Sequence, residues 1–175
     1  MSKKKKYFLL ADVIILIVLV ALDQITKYLA VINLKDKPAI PIIQDVFELN
    51  YLENRGAAFG VLQNQKIFFL IISIIIVCVV VFVLFKVPDD KKYNVMHVLL
   101  VMVASGGIGN MVDRIRFDYV VDFFSFVLIN FPIFNVADIY VTVSMIGFAI
   151  LILFVYKDED FSFLALNRKK NSGEK

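Results

Sequence analysis

The sequence carries one cysteine and one histidine. A single thiol forms no intramolecular disulfide, and Cys78, in the middle of an apolar run, reads as a buried and inert side chain. One Cys and one His cannot supply a zinc cluster of the His/Cys type, and no metal or other cofactor is expected. Ser105 stands in a Ser-Gly-Gly context but has no base within reach: His97 lies eight residues earlier, about 12 Å along a helix at 1.5 Å per residue. Serine acyl transfer is thereby excluded. Gly107-Ile-Gly109 is followed by Asn110, so a Gly-x-Gly-Asp signature is missing. No internal repeat is visible, and no pair of interrupted helices in repeated halves supports a carrier.

Charge is missing from long stretches. Of 175 residues, 60% are hydrophobic and 14% aromatic, which places the chain among integral membrane proteins. Four apolar stretches, 7–30, 67–85, 93–112 and 136–156, each reach the length of about 20 residues needed to span a bilayer as a helix. The fold expected is an all-α membrane protein: one domain of four transmembrane helices, a small extracytoplasmic β-element over about 38–62 and an interfacial segment over about 113–135 before the last helix. Residues 157–175 form a cytosolic tail. The basic run Lys3 to Lys6 before the first span resembles the start of a signal peptide, but no convincing cleavage site follows, so the span is read as uncleaved.

Orientation follows from Lys and Arg. With both termini cytoplasmic, 12 of the 19 basic residues fall on the inner side. The net charge of +3 is then anchoring charge beside anionic membrane lipid, and nucleic acid is not expected as a partner.

The polar residues that remain near the spans carry the functional reading, because a carboxylate at membrane depth costs about 2.5–3.5 kcal/mol on insertion scales. Asp12 is assigned to the inner interface, within reach of water. Asp23 and Lys27, spaced i,i+4, share a helix face; spacing alone leaves open a helix-end pair with Lys27 turned outward or a brace turned into the bundle. Asn54 precedes Arg-Gly56-Ala-Ala-Phe-Gly60 and suits a turn residue bonding its own backbone. Asn110 and Arg114 share a face by i,i+4 spacing, and Asp113, three residues after Asn110, can reach the same neighbourhood; Asp113-Arg114-Ile-Arg116 also suits an interfacial charge cluster. Asp122 sits between two valines and two phenylalanines, surroundings that desolvate a carboxyl. Asn135 and Asp138 fit an N-cap and the third position of a helix, where the dipole favours negative charge.

Five motifs then line up in order: Asp23-Gln-x-x-Lys27, Asn54-x-Gly-Ala-Ala-Phe-Gly60, Gly109-Asn110-x-x-Asp-Arg114, Val120-Val-Asp122-Phe and Phe134-Asn135-x-Ala-Asp138. The chain resembles the bacterial lipoprotein signal peptidases (signal peptidase II) over nearly its whole length. The resemblance implies an aspartyl endopeptidase of the bacterial cytoplasmic membrane with its site at the outer face. Its substrates would be prolipoproteins whose lipobox cysteine carries diacylglycerol, cleaved just before that cysteine. It implies that Asp122 and Asp138 form the catalytic dyad, that Asn54, Gly56, Asn110, Arg114, Asn135 and Ala137 line or brace the site, and that Asp23 and Lys27 support it. Asp118 stands where the family commonly has glycine, which bears on the local loop shape. A single copy suffices for this reading, and the sequence sets no oligomeric state. A proton-coupled carrier and a non-enzymatic scaffold binding lipidated proteins are the rivals.

Overall fold

The computed structural model describes residues 3–57 and 61–164. Ala58 to Gly60 of the second motif and residues 165–175 of the expected tail lie outside the described residues. Four long helices dominate: α1 (Lys3–Leu34), α2 (Lys66–Lys86), α3 (Asn94–Phe117) and α4 (Val136–Ile150), the last continued by a π-helical turn over Leu151–Val155. Each is apolar and long enough to cross a bilayer, α3 together with the 3₁₀ turn Lys91–Tyr93 and α4 together with its π-helical turn. α3 is the central helix, half-buried where the other three are mostly exposed, and it packs against all of them.

That central place explains its small residues. A Cβ on Gly106 would lie 2.5 Å from the carbonyl oxygen of Ala137, so only glycine lets α3 and α4 approach this closely. At Gly109 a Cβ would overlap the carboxylate of Asp23 on α1. Gly107, one step round the helix, faces α2 with ordinary clearance. α2 is mostly Ile, Val and Phe, fully buries only Val80 and Leu84, half-buries a stripe with Phe69, Val77 and Val83, and exposes most of the rest. Cys78 is on that exposed face and so is not buried in protein, because α2 touches the bundle along one narrow stripe.

One end of the bundle carries an antiparallel sheet in the order β1 (Ile40–Ile43), β2 (Phe47–Asn54), β3 (Val120–Phe126). The third strand comes from within the segment expected to be interfacial, whose first residues instead finish α3. The α3 helix stops at Asp118, which adopts the left-handed conformation (φ 67°) usually filled by glycine. Its carboxylate accepts a 2.6 Å bond from Lys66 at the start of α2. In the β2–β3 register Leu52 faces Asp122 and Asn54 faces Val120, which puts Asn54 diagonal to Asp122 on one sheet face. After β3 the chain returns through a bridge between Phe124 and Phe134 and enters α4. Ala30 and Leu34 of α1 pack on Val121 and Phe123, seating the sheet on the bundle.

At the opposite end, Asp12 is buried rather than solvated: its Oδ2 lies 2.9 Å from His97 Nδ1, and Phe8 stacks on the imidazole at 5.5 Å. The helix pair brings the only histidine of the chain to it.

Candidate active site

Between the sheet and the helix ends lies a cavity of about 440 Å³, with Asn54, Gly56, Asn110, Arg114, Asp122 and Asp138 in its walls. Apolar side chains, among them Phe131, Pro132, Ile139 and Val143, complete it on the α4 side. Asn135, Ala137, Asp23 and Lys27 are not in the walls; they stand behind them.

Asp138 enters through α4. Asn135 is the N-cap: its Oδ1 accepts from the Asp138 amide at 3.1 Å, and Asp138 Oδ2 accepts from the Asn135 amide at 3.1 Å, a reciprocal capping box. The other oxygen, Oδ1, takes a 2.8 Å bond from Asn110 Nδ2. The helix-start reading of Asp138 and the site reading are therefore both met by one side chain.

Asp122 enters through β3. Its Oδ2 accepts from Asn54 Nδ2 at 2.8 Å and its Oδ1 from Asn135 Nδ2 at 2.6 Å. Asn54 also meets both of its readings, since its own oxygen accepts from the Gly56 amide at 2.9 Å and forms the turn. One residue, Asn135, touches both carboxylates. Asp122 is 1% exposed, and burial together with the negative charge of Asp138 raises its carboxyl to about 7; the Asn54 and Asn135 amides pull the other way and are outweighed.

Arg114 closes another side. Its guanidinium lies over the Phe69 ring at 4.6 Å and donates to the Gly56 carbonyl at 3.3 Å, tying α3 to the loop after β2 and to α2. On the reverse sheet face Lys35 donates to Glu53 at 2.9 Å, and Arg55 stacks on Tyr119 at 5.2 Å; these contacts fix the strand end that presents Asn54.

Asp23 and Lys27 form a brace turned into the bundle, 0% and 3% exposed, with 3.0 Å between Lys27 Nζ and Asp23 Oδ2. Asp23 Oδ1 accepts from the Ala137 amide at 3.0 Å, and Lys27 donates to Asn110 Oδ1 at 2.8 Å. Two further residues join this brace. Asp113 is 1% exposed, paired with Lys27 at 3.0 Å, so it is not an interfacial charge. Gln24 donates to Asp113 at 2.8 Å and to the Gly109 carbonyl at 3.2 Å. The i,i+3 spacing of Asn110 to Asp113 allows the place of Asp113 from the sequence; for Gln24, to which the sequence reading gives no role, the signal is its i,i+3 spacing to Lys27. Ser105 bonds the Val101 carbonyl of its own helix at 2.8 Å and takes no part.

The profile of the Signal peptidase (SPase) II family matches residues 15–155. The lipoprotein signal peptidase of Caldanaerobacter subterraneus is 43% identical over 143 residues, covering 81% of this chain and 95% of that protein. The lipoprotein signal peptidase of Clostridioides difficile is 40% identical over 142 residues, covering 81% and 94%. Two solved structures of bacterial membrane enzymes are similar with TM-scores of 0.72 and 0.71, at 30% and 31% identity, covering 91% and 83% of this chain and 94% of each of theirs. With four membrane-length helices, described residues from all five motifs in or behind the walls of one cavity, and relatives of this closeness, the chain belongs to the signal peptidase II family of multi-pass membrane proteases.

Proposed function

We propose that this protein is an aspartyl endopeptidase that removes the signal peptide from prolipoproteins bearing a diacylglyceryl cysteine, cutting just before that cysteine. The observation that carries the reading is the pairing of Asp122 and Asp138 in one cavity, with Asn135 bonded to both. Asp138 is the anion of the resting pair, its charge favoured by the α4 N-terminus and by two N–H donors; Asp122, walled by Val and Phe, holds the proton.

A water between them gives its proton to Asp138 while its oxygen attacks the scissile carbonyl carbon. Asp122 O–H donates to the carbonyl oxygen as negative charge develops there. The tetrahedral intermediate collapses when the leaving nitrogen takes a proton from Asp138. The products are a signal peptide ending in a carboxylate and a lipoprotein with a free cysteine α-amine. Two carboxyls and one water suffice.

The cavity opens beside apolar faces of α4, where the hydrophobic part of a signal peptide can lie in the bilayer while its cleavage site reaches the dyad. The acyl chains of the modified cysteine would remain among lipid. The charge asymmetry supports an arrangement with the sheet and cavity at the outer face of the cytoplasmic membrane and both termini inside, with spans near 7–30, 67–85, 93–112 and 136–156. A single copy contains every residue invoked.

The test is to incubate the purified protein with a synthetic precursor whose lipobox cysteine carries diacylglycerol, and to map the products by mass. Expected is one cut before the lipidated cysteine, and none in the unlipidated precursor. Equal cleavage of both precursors would overturn the substrate assignment, and no cleavage of either by inserted protein would overturn the activity.

A further inference from the structure

Each member of the candidate dyad follows a residue whose backbone N–H is held by a second carboxylate. Val121, before Asp122, donates to Asp113 Oδ2 at 3.1 Å. Ala137, before Asp138, donates to Asp23 Oδ1 at 3.0 Å. Neither of these carboxylates is in the cavity wall, and both are almost completely buried. They meet at one ammonium: Lys27 Nζ lies 3.0 Å from Asp113 Oδ2 and 3.0 Å from Asp23 Oδ2. Its third partner is Asn110 Oδ1 at 2.8 Å. An ammonium has three N–H donors, and here all three are placed.

The third bond also settles the Asn110 amide. With its oxygen accepting from Lys27 and from Asn135, its nitrogen must face Asp138, as it does at 2.8 Å. Lys27 thus reaches β3 through Asp113, the start of α4 through Asp23, and the Asp138 side chain through Asn110.

We infer that Asp113 is a positioning residue for the reaction, forming with Lys27 and Asp23 a buried lock that sets the separation of Asp122 and Asp138 by holding the amide before each. This rests on the dyad reading. β3 and α4 are otherwise joined near the site by the Phe124–Phe134 return and by the Asn135 amide on Asp122, and the lock backs both carboxylates from behind these contacts. Buried opposite charges with filled donor sets hold their geometry stiffly, because any displacement strands a charge away from water. Misplacing reacting groups by about 1 Å can cost on the order of 10²-fold in rate. Binding of the precursor along the α4 side of the cavity does not pass through these bonds, so the loss belongs in kcat rather than KM.

The experiment measures kcat and KM on the lipidated precursor for Asp113→Ala and Asp113→Asn, and for Lys27→Met alone and combined with Asp113→Ala. Thermal unfolding in detergent selects folded protein. Asp113→Ala is expected to lower kcat by about 100-fold with KM little changed. Asp113→Asn keeps the shape and an oxygen for Val121, so about a 10-fold loss is expected, and it carries the test if the alanine variant does not fold. Residues acting as one unit are non-additive, so adding Lys27→Met should lower kcat little beyond Asp113→Ala alone. Wild-type kcat in either folded Asp113 variant, a loss confined to KM, or a multiplicative double-variant loss would overturn the lock. Asp122→Asn and Asp138→Asn run alongside: turnover in either removes the dyad and the lock with it, whereas inactivity in both beside normal Asp113 variants removes the lock alone.

Discussion

The molecule buries polar groups at both ends, and the two ends differ in what surrounds them. At one end Asp12 and His97 face each other between α1 and α3, under Phe8. The cavity described near that end, about 140 Å³, is lined by apolar side chains and the Tyr156 ring and touches neither residue. At the other end Asp122 and Asp138 open into a larger cavity that their own carboxylates help to line. Buried polarity alone is therefore not a site. A pair that satisfies itself joins two helices; a pair held from behind by amides, with oxygens on a cavity, can act on something else.

The largest expected contrast is between the two pairs. Asp12→Asn should leave cleavage of the lipidated precursor intact and lower stability by about 1–3 kcal/mol, the usual cost of a damaged buried hydrogen bond, read by thermal unfolding. An Asp12→Asn protein that is folded but inactive would break the contrast.

The next contrast is within one turn of α3. Gly106→Ala drives a Cβ into the Ala137 backbone, which carries Asp138 one residue on, so both activity and stability should fall, the latter by about 1–3 kcal/mol. Gly107→Ala meets only Val77 at 3.8 Å and should be neutral or stabilising by up to about 1 kcal/mol through helix propensity. Unfolding and cleavage measured on the two variants together separate close packing from general tolerance.

pH sharpens the comparison further. The Asp122 carboxyl, raised to about 7 by burial and by Asp138, keeps the shared proton below that pH and loses it above. The rate should decline as pH rises beyond about 7, where both carboxyls become anions and no acid remains. Stability has the same sign. Asp122 is protonated in both states well below its unfolded value near 4, so the wild type is unpenalised there; between about 4 and 7 the unfolded carboxyl ionises while the folded one keeps its proton, so stability falls across that window and levels off above it. Asp122→Asn should accordingly be more stable than wild type above pH 7, and that gain should fade at low pH.

The smallest effect is expected at the exposed Lys66–Asp118 pair. Asp118→Gly removes a charge contact but relieves a left-handed residue, so cleavage should stay within about twofold of wild type.

Much of this was legible in the sequence, and the misses share a cause. Lengths of apolar sequence gave the helices, and i,i+4 spacing put Asp23 and Lys27 on one face. Spacing says nothing about which way a face turns, so a brace and a surface pair stayed open until Gly109 was seen to admit the Asp23 carboxylate. For Asp113 the spacing allows either reach toward Asn110 or an interfacial charge beside two arginines; only the fold brings Lys27 and the Val121 amide to it. The third strand was missed because Val120-Val-Asp-Phe-Phe124 hardly alternates: it is covered on both faces, by α1 and by the site. Asn54 and Asp138 each seemed to need a choice between local turn or cap and site, yet an amide or carboxylate has enough hydrogen-bonding positions for both.

The most direct test of the pairing is cleavage of the lipidated precursor by Asp122→Asn and by Asp138→Asn, each shown to be folded and membrane-inserted. Replacing either carboxyl by an amide of the same shape removes the base or the acid and leaves the cavity intact. Both variants should lose detectable turnover while still binding the precursor. Cleavage at the wild-type rate by either one would contradict the dyad.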